Sequence, residues 1–381
     1  MQQLSCVESC SSRLGIDLDA LRANYRTLTE RVAPARCGAV VKANAYGLGA
    51  TRVGAALYRE GCRTFFVAQL SEVAPLASAV GADAAIFILN GLDPASEGAC
   101  TAAGAIPVLN SLSQVTRWRA SARRLGFPLP AALQVDSGMS RLGLAVEDAL
   151  ALAADPACAR ELDLRLLMTH LACADEPGRA ANGEQLAAFR RIAAHFPGVP
   201  ASIANSGGVF LPPPFHADLA RPGVALFGVD PGPHAVGLRP VVQLHARVLQ
   251  IRTVAAGTRV GYGLDHIAPA PQRLATIALG YADGWPRSLG GAGALWHRGI
   301  RLPIVGRVSM DSLTVDISAL PQGELAEGDF VECLGPSQSL ADAARDARTI
   351  AYEILTRLGA RHARIFVEDG NAEIVLPGRA P

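Results

Sequence analysis

The sequence predicts a (β/α)8 barrel over residues 1–240, followed by a β-rich domain over residues 241–381. Between residues 38 and 227, short apolar runs alternate with amphipathic stretches, which is the pattern of a parallel sheet whose strands are connected by helices. Beyond residue 240, runs with strand character follow one another without intervening helices. The change of pattern at Pro240 is therefore the predicted domain boundary.

Eight runs in the first part have the composition of strands that are buried on both faces, because each is nearly continuous in apolar residues. Eight such units over roughly 200 residues fit a closed barrel. A helix is predicted at 18–32, before the first strand, and amphipathic helices are predicted at 51–61, 111–126, 146–156 and 184–196. The predicted strands are AVVKA (39–43), TFFVAQ (64–69), AAIFILN (84–90), IPVLN (106–110), AALQVDSG (131–138), LRLLMTHL (164–171), PASIANS (200–206) and RPGVALFG (221–228).

The second domain is predicted to contain several strands and a single helix. The helix is SLADAARDARTIAYEILTRLG, at 339–359. The strands are predicted at 241–254, 272–284, 300–318, 328–335 and 363–368.

Composition narrows the class of protein and its location. The net charge of +1 in 381 residues gives no general attraction to nucleic acids or acidic membranes. The eight cysteines contain no C-x-x-C pair, and Cys6 and Cys10 have no second pair at zinc spacing, so no metal site is predicted and a reducing compartment is favoured. The N-terminal residues lack the basic start and apolar core of a signal peptide, and no apolar run approaches membrane-spanning length. A cytoplasmic enzyme is predicted.

Polar residues stand where several of the predicted strands end. In a parallel barrel the carboxyl ends of the strands meet at one mouth, where functional groups lie. Taken singly, each has an ordinary explanation, such as a buried histidine or a helix N-cap, but their convergence favours a site. They are Lys42 at the end of strand one, Asp136 and Arg141 following strand five, His170 at the end of strand six, Asn205 and Ser206 at the end of strand seven, and Arg221 at strand eight.

A desolvated lysine has a lowered pKa, and its neutral amine forms an imine with a carbonyl group. Two carbonyl partners fit at this stage: a sugar-like substrate, as in an aldolase, or the aldehyde of pyridoxal phosphate. NSGG (205–208) and RPGVALFG (221–228) offer N–H and hydroxyl donors where barrels commonly bind phosphate.

The motif AVVKANAYGLGA (39–50) closely resembles the cofactor-lysine motif of the alanine racemase family, whose members are fold-type III pyridoxal-phosphate enzymes. Further motifs of that family occur in the same order: LQVDSGMSRLG, THLACADE, ANSGG, LARPGVALFG, VGYG, ALGYADGWPRSLG and GRVSMDSLTVD. The resemblance covers nearly the whole chain.

This resemblance implies that Lys42 carries pyridoxal 5'-phosphate. It further implies that Arg221 faces the pyridine nitrogen, with His170 behind it. Tyr46, Asn205, Ser206 and the backbone of Gly223 and Val224 would complete the cofactor site, the phosphate being held by Tyr46, Ser206 and the two backbone groups.

Racemisation requires a base on each face of the substrate, and the resemblance implies Lys42 on one face and Tyr262 of a partner subunit on the other. A homodimer with shared active sites is therefore expected. Arg141 would bind the carboxylate of alanine, and so would the backbone N–H of Met310 from the partner. Tyr281 and Asp311 would line the entrance.

Three positions depart from the family pattern. Gln134 stands where many members have a carbamylated lysine beside the arginine that matches Arg141, so a hydrogen bond between Gln134 and Arg141 is expected, with a bound anion or water. Leu48 replaces a common histidine. Ala360 replaces a tyrosine that reaches the phosphate.

Three alternative functions are weighed. A racemase of broader specificity, for example for serine, differs by little more than a hydroxyl group, which binding discriminates poorly. A fold-type III decarboxylase would have an acidic residue at the position of Arg221 and a cysteine–aspartate element instead of VSMDS. A non-catalytic cofactor carrier would resemble the barrel alone.

Overall fold

The computed structural model describes residues 10–232 and 236–377, and these form two compact units. The barrel unit contains Leu21–Ala45 and Gly49–Arg239. The β unit contains the residues up to Ala20, the short segment Tyr46–Leu48 and the chain from Pro240 onward. The domain boundary at residue 240 stays a prediction. Cys6 and the N-terminal residues weighed as a signal peptide lie outside the described ranges.

The strands vary in length with the unit that they build: the barrel strands have two to seven residues, whereas the longest strand of the β unit has 13. In chain order they are β1 (Ser12–Asp17), β2 (Arg36–Cys37), β3 (Ala39–Val40), β4 (Thr64–Val67), β5 (Ala85–Ile88), β6 (Ile106–Leu109), β7 (Leu129–Gln134), β8 (Leu162–Met168), β9 (Ala201–Ser202), β10 (Leu219–Ala220), β11 (Val242–Val254), β12 (Arg259–Val260), β13 (His266–Ile267), β14 (Gln272–Ile277), β15 (Ala294–His297), β16 (Ile300–Val305), β17 (Leu313–Asp316), β18 (Phe330–Leu334), β19 (Ala363–Glu368) and β20 (Asn371–Val375).

The helices confirm the amphipathic segments that the sequence predicts. The helix Leu112–Leu125 begins at Ser111, whose side chain accepts a hydrogen bond from the N–H of Gln114, and ends at Gly126 in the left-handed conformation. In chain order the α-helices are α1 (Leu18–Val32), α2 (Ala50–Arg59), α3 (Val73–Ala77), α4 (Glu97–Ala102), α5 (Leu112–Leu125), α6 (Val146–Ala154), α7 (Cys158–Glu161), α8 (Ala180–Ala193), α9 (Leu340–Ala347) and α10 (Ala351–Arg357).

Eight parallel strand positions form the closed ring of the barrel unit, which confirms the predicted fold class. Strands β3 to β9 pair in chain order as a parallel sheet. β10 closes the ring, since Leu219 pairs with Arg36 of β2 and the N–H of Arg221 donates to the carbonyl of Ala204 at 2.8 Å. All seven strands predicted from 39 to 206 are present, most of them shorter than predicted.

The eighth predicted strand, RPGVALFG, is wrong. The strand lies just before it, at β10, and Val224–Phe227 form a 3-10 helix instead. All four side chains of this helix are fully buried. A short apolar run that is buried on all sides reads like a strand in the sequence, because hydrophobicity alone does not distinguish the two.

The β unit is a nine-stranded sheet in the order β14-β17-β16-β15-β18-β11-β1-β19-β20, and β14 also pairs with β11. β1 lies inside this sheet, antiparallel to β11 and parallel to β19. Every predicted run of the second domain contains a strand. The sequence analysis missed β1, β15, β20 and the β12–β13 pair.

The single helix predicted at 339–359 is two helices, α9 and α10. Arg348 ends the first in the left-handed conformation, with a φ of 57°. The apolar pattern continues across this break, so periodicity did not reveal it. Within the described ranges, no helix is long and apolar enough to cross a membrane.

Candidate active site

The backbone that follows Lys42 turns in the left-handed sense. Ala43, Asn44, Ala45 and Tyr46 have φ values of 53° to 55°, although none of them is glycine. Such a conformation costs roughly 1–2 kcal/mol per residue, and strain of this kind concentrates at functional sites. The first link of the turn to the barrel is the hydrogen bond from the N–H of Ala45 to the carbonyl of Val41, at 2.8 Å. The position of Lys42 is therefore fixed by an unusual local fold.

Lys42 is half-buried at the end of the first barrel strand. Burial lowers the pKa of its amine, and the positive charge of Arg141 lowers it further, while Glu72 opposes both. A lowered pKa raises the fraction of neutral amine, which is the form that attacks a carbonyl group and accepts a proton.

Arg141 follows a tight loop that is organised by Asp136. The Oδ1 atom of Asp136 accepts three backbone hydrogen bonds at 2.9 to 3.1 Å, and although burial opposes the effect, these bonds lower the pKa of the carboxyl. Gly143 closes the loop with a φ of 121°, and a Cβ atom there would lie 2.6 Å from the backbone nitrogen of Asp136. The donors to Asp136 are the N–H groups of Gly138, Met139 and Ser140.

The expected hydrogen bond between Gln134 and Arg141 is not formed. The buried Gln134 donates its Nε2 hydrogen to the carbonyl of Leu142 at 3.0 Å. Gln134 thus holds the backbone beside Arg141, and the exposed guanidinium of Arg141 donates no hydrogen bond to any residue of the described ranges.

His170 and Asn205 lie together after the sixth and seventh strands. The Nδ2 atom of Asn205 lies 3.5 Å from the Nε2 atom of His170 and donates to the carbonyl of Leu171 at 3.2 Å. Burial, followed by the positive charges of Arg221, Arg141 and Lys42, lowers the pKa of His170 to about 3. His170 is therefore a neutral ring at physiological pH.

Arg221 is 3% exposed and donates to two buried oxygens, the Oγ atom of Ser202 and the carbonyl of Thr169, the latter at 2.6 Å. Burial lowers its pKa to about 9, which leaves a cation at neutral pH. In the part of the chain that the structure describes, no carboxylate pairs with this cation. Neither residue was predicted for the site: Ser202 lies outside the quoted motifs, and Thr169, although it begins THLACADE, acts through its backbone carbonyl.

Ser206 and the loop before Val224 form a buried polar cluster. The Oγ atom of Ser206 accepts the N–H of Gly223 at 2.8 Å and that of Ala225 at 3.3 Å. A Cβ atom on Gly207 would lie 2.8 Å from the carbonyl of Ala174, so the chain beside Ser206 requires glycine. A hydroxyl beside backbone N–H groups is the donor set that binds phosphate in barrels.

Two predicted site residues of the β unit differ strongly in exposure. Tyr46 is buried against Tyr352, with ring centroids 6.4 Å apart, and burial raises the pKa of its phenol. Tyr262, in contrast, is 70% exposed. Gly261 and Gly263 flank it with φ values of 76° and 78°, so Tyr262 is presented by a sharp turn.

The GYADG and SMD motifs lie side by side in the β unit. The N–H of Tyr281 donates to the carbonyl of Ser309 at 3.1 Å, and the N–H of Ala282 donates to that of Met310 at 3.0 Å. A Cβ atom on Gly280 would lie 2.1 Å from the carbonyl oxygen of Met310, which explains the glycine. Tyr281 and Met310 both remain exposed.

Arg361 connects these two motifs by ion pairs, at 2.7 Å to Asp311 and 3.2 Å to Asp283. The buried Asp283 also accepts the N–H of Gly280 at 2.8 Å. Ala360, next to Arg361, is exposed.

The structure thus brings Lys42, Arg141, His170 and Arg221 into electrostatic contact in the barrel unit. In the β unit, it brings Tyr281 beside Met310 and Asp311. Among the described residues, no group of three or more His, Cys, Asp or Glu side chains is arranged to hold a metal ion.

A lysine of lowered pKa at the mouth of a parallel barrel, together with a separate β unit, defines a barrel enzyme whose chemistry depends on that lysine. Two family models match the chain, the alanine racemase N-terminal domain over residues 16–231 and the C-terminal domain over residues 241–366. The chain belongs to the alanine racemase family.

Relatives and solved structures agree with this family. The chain is 54% identical to a protein named alanine racemase, catabolic, from Rhizobium johnstonii, over 94% of this chain and 96% of the relative. It is 51% identical to the protein of the same name from Agrobacterium fabrum, over 94% of this chain and 93% of the relative. The crystal structure of alanine racemase from Bartonella henselae with covalently bound pyridoxal phosphate matches with a TM-score of 0.91 and 44% identity, covering 94% of this chain and all of that one.

Proposed function

We propose that this protein interconverts L-alanine and D-alanine, with pyridoxal 5'-phosphate bound to Lys42. The observation that carries the proposal is the half-buried Lys42, whose pKa is lowered at the end of the first barrel strand. The names of the relatives and the pyridoxal phosphate in the Bartonella henselae structure support the substrate and the cofactor.

The residues present fit a phosphorylated, anionic cofactor. Lys42, Arg141 and Arg221 give the barrel unit three cationic groups, and the Ser206 hydroxyl lies beside two backbone N–H groups that an anion can bind. Lys42, Arg221, His170 and Asn205 would hold the ring side of the cofactor, while Tyr46, Ser206 and the backbone of Gly223 and Val224 would hold the phosphate. When bound, the cofactor supplies an electrophilic carbon and a ring that stabilises negative charge at the substrate Cα.

Arg221 restricts how strongly that charge is withdrawn. Its pKa of about 9 leaves it protonated at neutral pH, and its hydrogen bonds to Ser202 and Thr169 hold it in place. An arginine does not readily give up a proton to a ring nitrogen, so the electron withdrawal stays limited. Return of the proton to Cα is then favoured over its transfer to other carbons.

The proton at Cα is exchanged by two bases on opposite faces. Lys42 Nζ acts on one face, and the phenol oxygen of Tyr262 from the partner subunit acts on the other. The 70% exposure of Tyr262 on its glycine-flanked turn supports a residue that completes the site of a second subunit. Arg141 and the N–H of Met310 of the partner subunit would orient the substrate carboxylate, and Tyr281 and Asp311 would form the entrance.

The homodimer is therefore part of the proposal. The names of the Agrobacterium and Rhizobium relatives favour alanine catabolism, and supply of D-alanine for peptidoglycan is the alternative role. A cytoplasmic location stays a prediction.

The test is incubation of the purified protein and pyridoxal phosphate with L-alanine in heavy water. We expect deuterium to appear at Cα, as measured by proton NMR, and D-alanine to form, as measured by chiral chromatography. The Lys42→Ala variant should show neither deuterium exchange nor D-alanine. L-serine is measured in parallel, since a comparable rate would indicate the broader specificity. Intact L-alanine without exchange would contradict the proposal.

A further inference from the structure

The carboxylate of Glu72 lies between two segments of backbone in the barrel unit. Its Oε1 atom accepts the N–H of Ala43 in a short hydrogen bond and lies 3.4 Å from the backbone nitrogen of Asn44. Its Oε2 atom accepts the N–H groups of Ala68 and Gln69, at 2.6 Å and 3.1 Å. One side chain thus serves two donors on each oxygen.

These two segments follow neighbouring strands of the barrel. β3 ends at Val40, shortly before Lys42, and β4, which pairs with it, ends at Val67. Glu72 therefore ties together the carboxyl ends of the first two strands, at the point where Lys42 enters the barrel mouth.

The contact with Ala43 is needed because the turn after Lys42 does not satisfy its own first donors. The first N–H groups of any helical turn have no partner within the turn. Hydrogen bonds to a charged carboxylate are among the stronger ones, so they offset part of the strain in the left-handed residues. As the N3 residue of a capping box, Glu72 accepts the N–H of Gln69 at the start of the 3-10 helix Leu70–Glu72, but this role does not explain its contacts with Ala43 and Asn44.

Glu72 also acts on Lys42 through its charge. The charged groups that shift the pKa of Lys42 are Arg141 and Glu72, and Glu72 is the acid of the two. Arg141 lowers the pKa of Lys42 after burial, whereas Glu72 raises it. Removal of the carboxylate therefore moves the pKa of Lys42 further down.

We propose that Glu72 is a positioning residue of the reaction, which clamps the turn that begins at Lys42 and balances the positive charge around the lysine. This inference rests on the proposed role of Lys42 in the racemase.

Two variants of the holoenzyme separate the two effects. Glu72→Gln keeps the size of the side chain but loses its charge and half of its acceptor positions. Glu72→Asp keeps the charge but shortens the reach by one methylene group. Asp342→Asn is the matched control, because Asp342 caps α9 in the same way, accepting the N–H of Ser339 at 3.1 Å.

The first readout is the rate of hydrogen exchange at the backbone amide of Ala43, measured by NMR. We expect exchange to quicken at least about tenfold in both Glu72 variants and to stay unchanged in Asp342→Asn. The second readout is the pH profile of kcat, which reports the enzyme with substrate bound, where the Lys42 amine would be free of the cofactor. We expect its Lys42 limb to move to lower pH in Glu72→Gln and to stay in place in Glu72→Asp. We also expect kcat/KM to fall by about tenfold or more in Glu72→Gln, since Lys42 is less well placed.

If Glu72 only caps the 3-10 helix, its substitution will quicken exchange at Ala68 and Gln69 alone and will leave the pH profile unchanged. That result would overturn the inference. If Glu72→Gln does not fold, hydrogen exchange in the wild-type holoenzyme still tests the clamp. Ala43 is exposed, so its amide is protected only if it is hydrogen-bonded, and rapid exchange there would overturn the clamp. If the wild type does not racemise alanine but exchange at the Ala43 amide still depends on Glu72, the proposed function is contradicted and the clamp is not.

Discussion

The hydroxyl oxygen of Ser206 accepts a hydrogen bond from the backbone N–H of Gly223 at 2.8 Å, and both residues are buried. Each group thus satisfies the other in the protein without a ligand. A phosphate group that binds here would accept hydrogen bonds from the N–H of Gly223 and from the hydroxyl of Ser206. The pair is therefore arranged for binding at little cost in unpaired polar groups.

The Ser206→Ala variant is expected to weaken cofactor binding about 10- to 150-fold, because one hydrogen bond to a charged group is worth about 1.5–3 kcal/mol. The measurement is a titration of the cofactor-free enzyme with pyridoxal phosphate, in which binding is detected by absorbance. Ser78→Ala, on an exposed serine of the same unit, is the control. Equal affinities for the variant and the wild type would show that Ser206 does not contact the phosphate.

The Ser202→Ala variant is expected to lower the free energy of unfolding by about 1–3 kcal/mol. It removes the hydroxyl oxygen that accepts a hydrogen bond from Nη1 of Arg221. One buried N–H group of the charged guanidinium is then left without a partner. Urea denaturation of the variant and the wild type measures the difference, with Ser78→Ala again as control. A stability within error of the wild type would mean that Arg221 finds another acceptor.

The pKa of His170 predicts how stability depends on pH. Its pKa is about 6.5 in the unfolded chain and about 3 in the folded protein. Between these values the unfolded state binds the proton and the folded state does not, so stability falls as the pH falls from 6.5 toward 3. At pH 5.5 the free energy of unfolding is therefore about 1.4 kcal/mol lower than it would be with a residue that does not titrate at this position.

The His170→Asn variant is therefore expected to lose less stability than the wild type between pH 7.5 and 5.5, as measured by denaturant unfolding at both values. His216, His245 and His362 also have lowered pKa values, but they are common to both proteins and cancel in the comparison. The exposed His195→Asn is the control, and it should follow the wild type. Identical losses for all three proteins would disprove the shift at His170.

The proposed sharing of the active site predicts complementation between two inactive variants. Lys42→Ala and Tyr262→Phe should each lose racemisation by about 100-fold or more, since each lacks one base. In a mixed dimer, one site receives both variant residues and the other receives neither. Co-expression should therefore restore about a quarter of the wild-type rate if subunits pair at random. No recovery in isolated mixed dimers would show that Tyr262 serves its own chain.

Much of the fold could be predicted from the sequence, because buried parallel strands and amphipathic helices have distinct patterns. Lys42 was predicted as a site residue because polar residues at several strand ends converge with it and because AVVKANAYGLGA resembles the cofactor-lysine motif of the family, whereas the lysine after an apolar run would not have sufficed. The eighth strand was misplaced because Val224–Phe227 are buried on all sides, and a buried 3-10 helix has no strand-like or helix-like period. β1 was missed because only two of its six residues, Leu14 and Ile16, have large apolar side chains.

The support of the candidate site was harder to predict than its reactive groups. Ser202 and Glu72 act on the site through hydrogen bonds to Arg221 and to Ala43, which are 19 and 29 residues away in the sequence, and such contacts leave no local pattern. The interaction expected between Gln134 and Arg141 failed because a backbone carbonyl, that of Leu142, competes for the amide. Backbone acceptors of this kind are invisible in side-chain motifs.

The position of β1 inside the nine-stranded sheet has a consequence for protein synthesis. Ser12 pairs with Ala246 and Arg13 pairs with Ala363, so both neighbours of this early strand leave the ribosome long after it. All residues of the barrel are translated before the first of these partners, and the second partner, β19, is translated later still. Throughout that time β1 carries unpaired backbone groups on both edges, the exposure that invites wrong pairing between nascent chains.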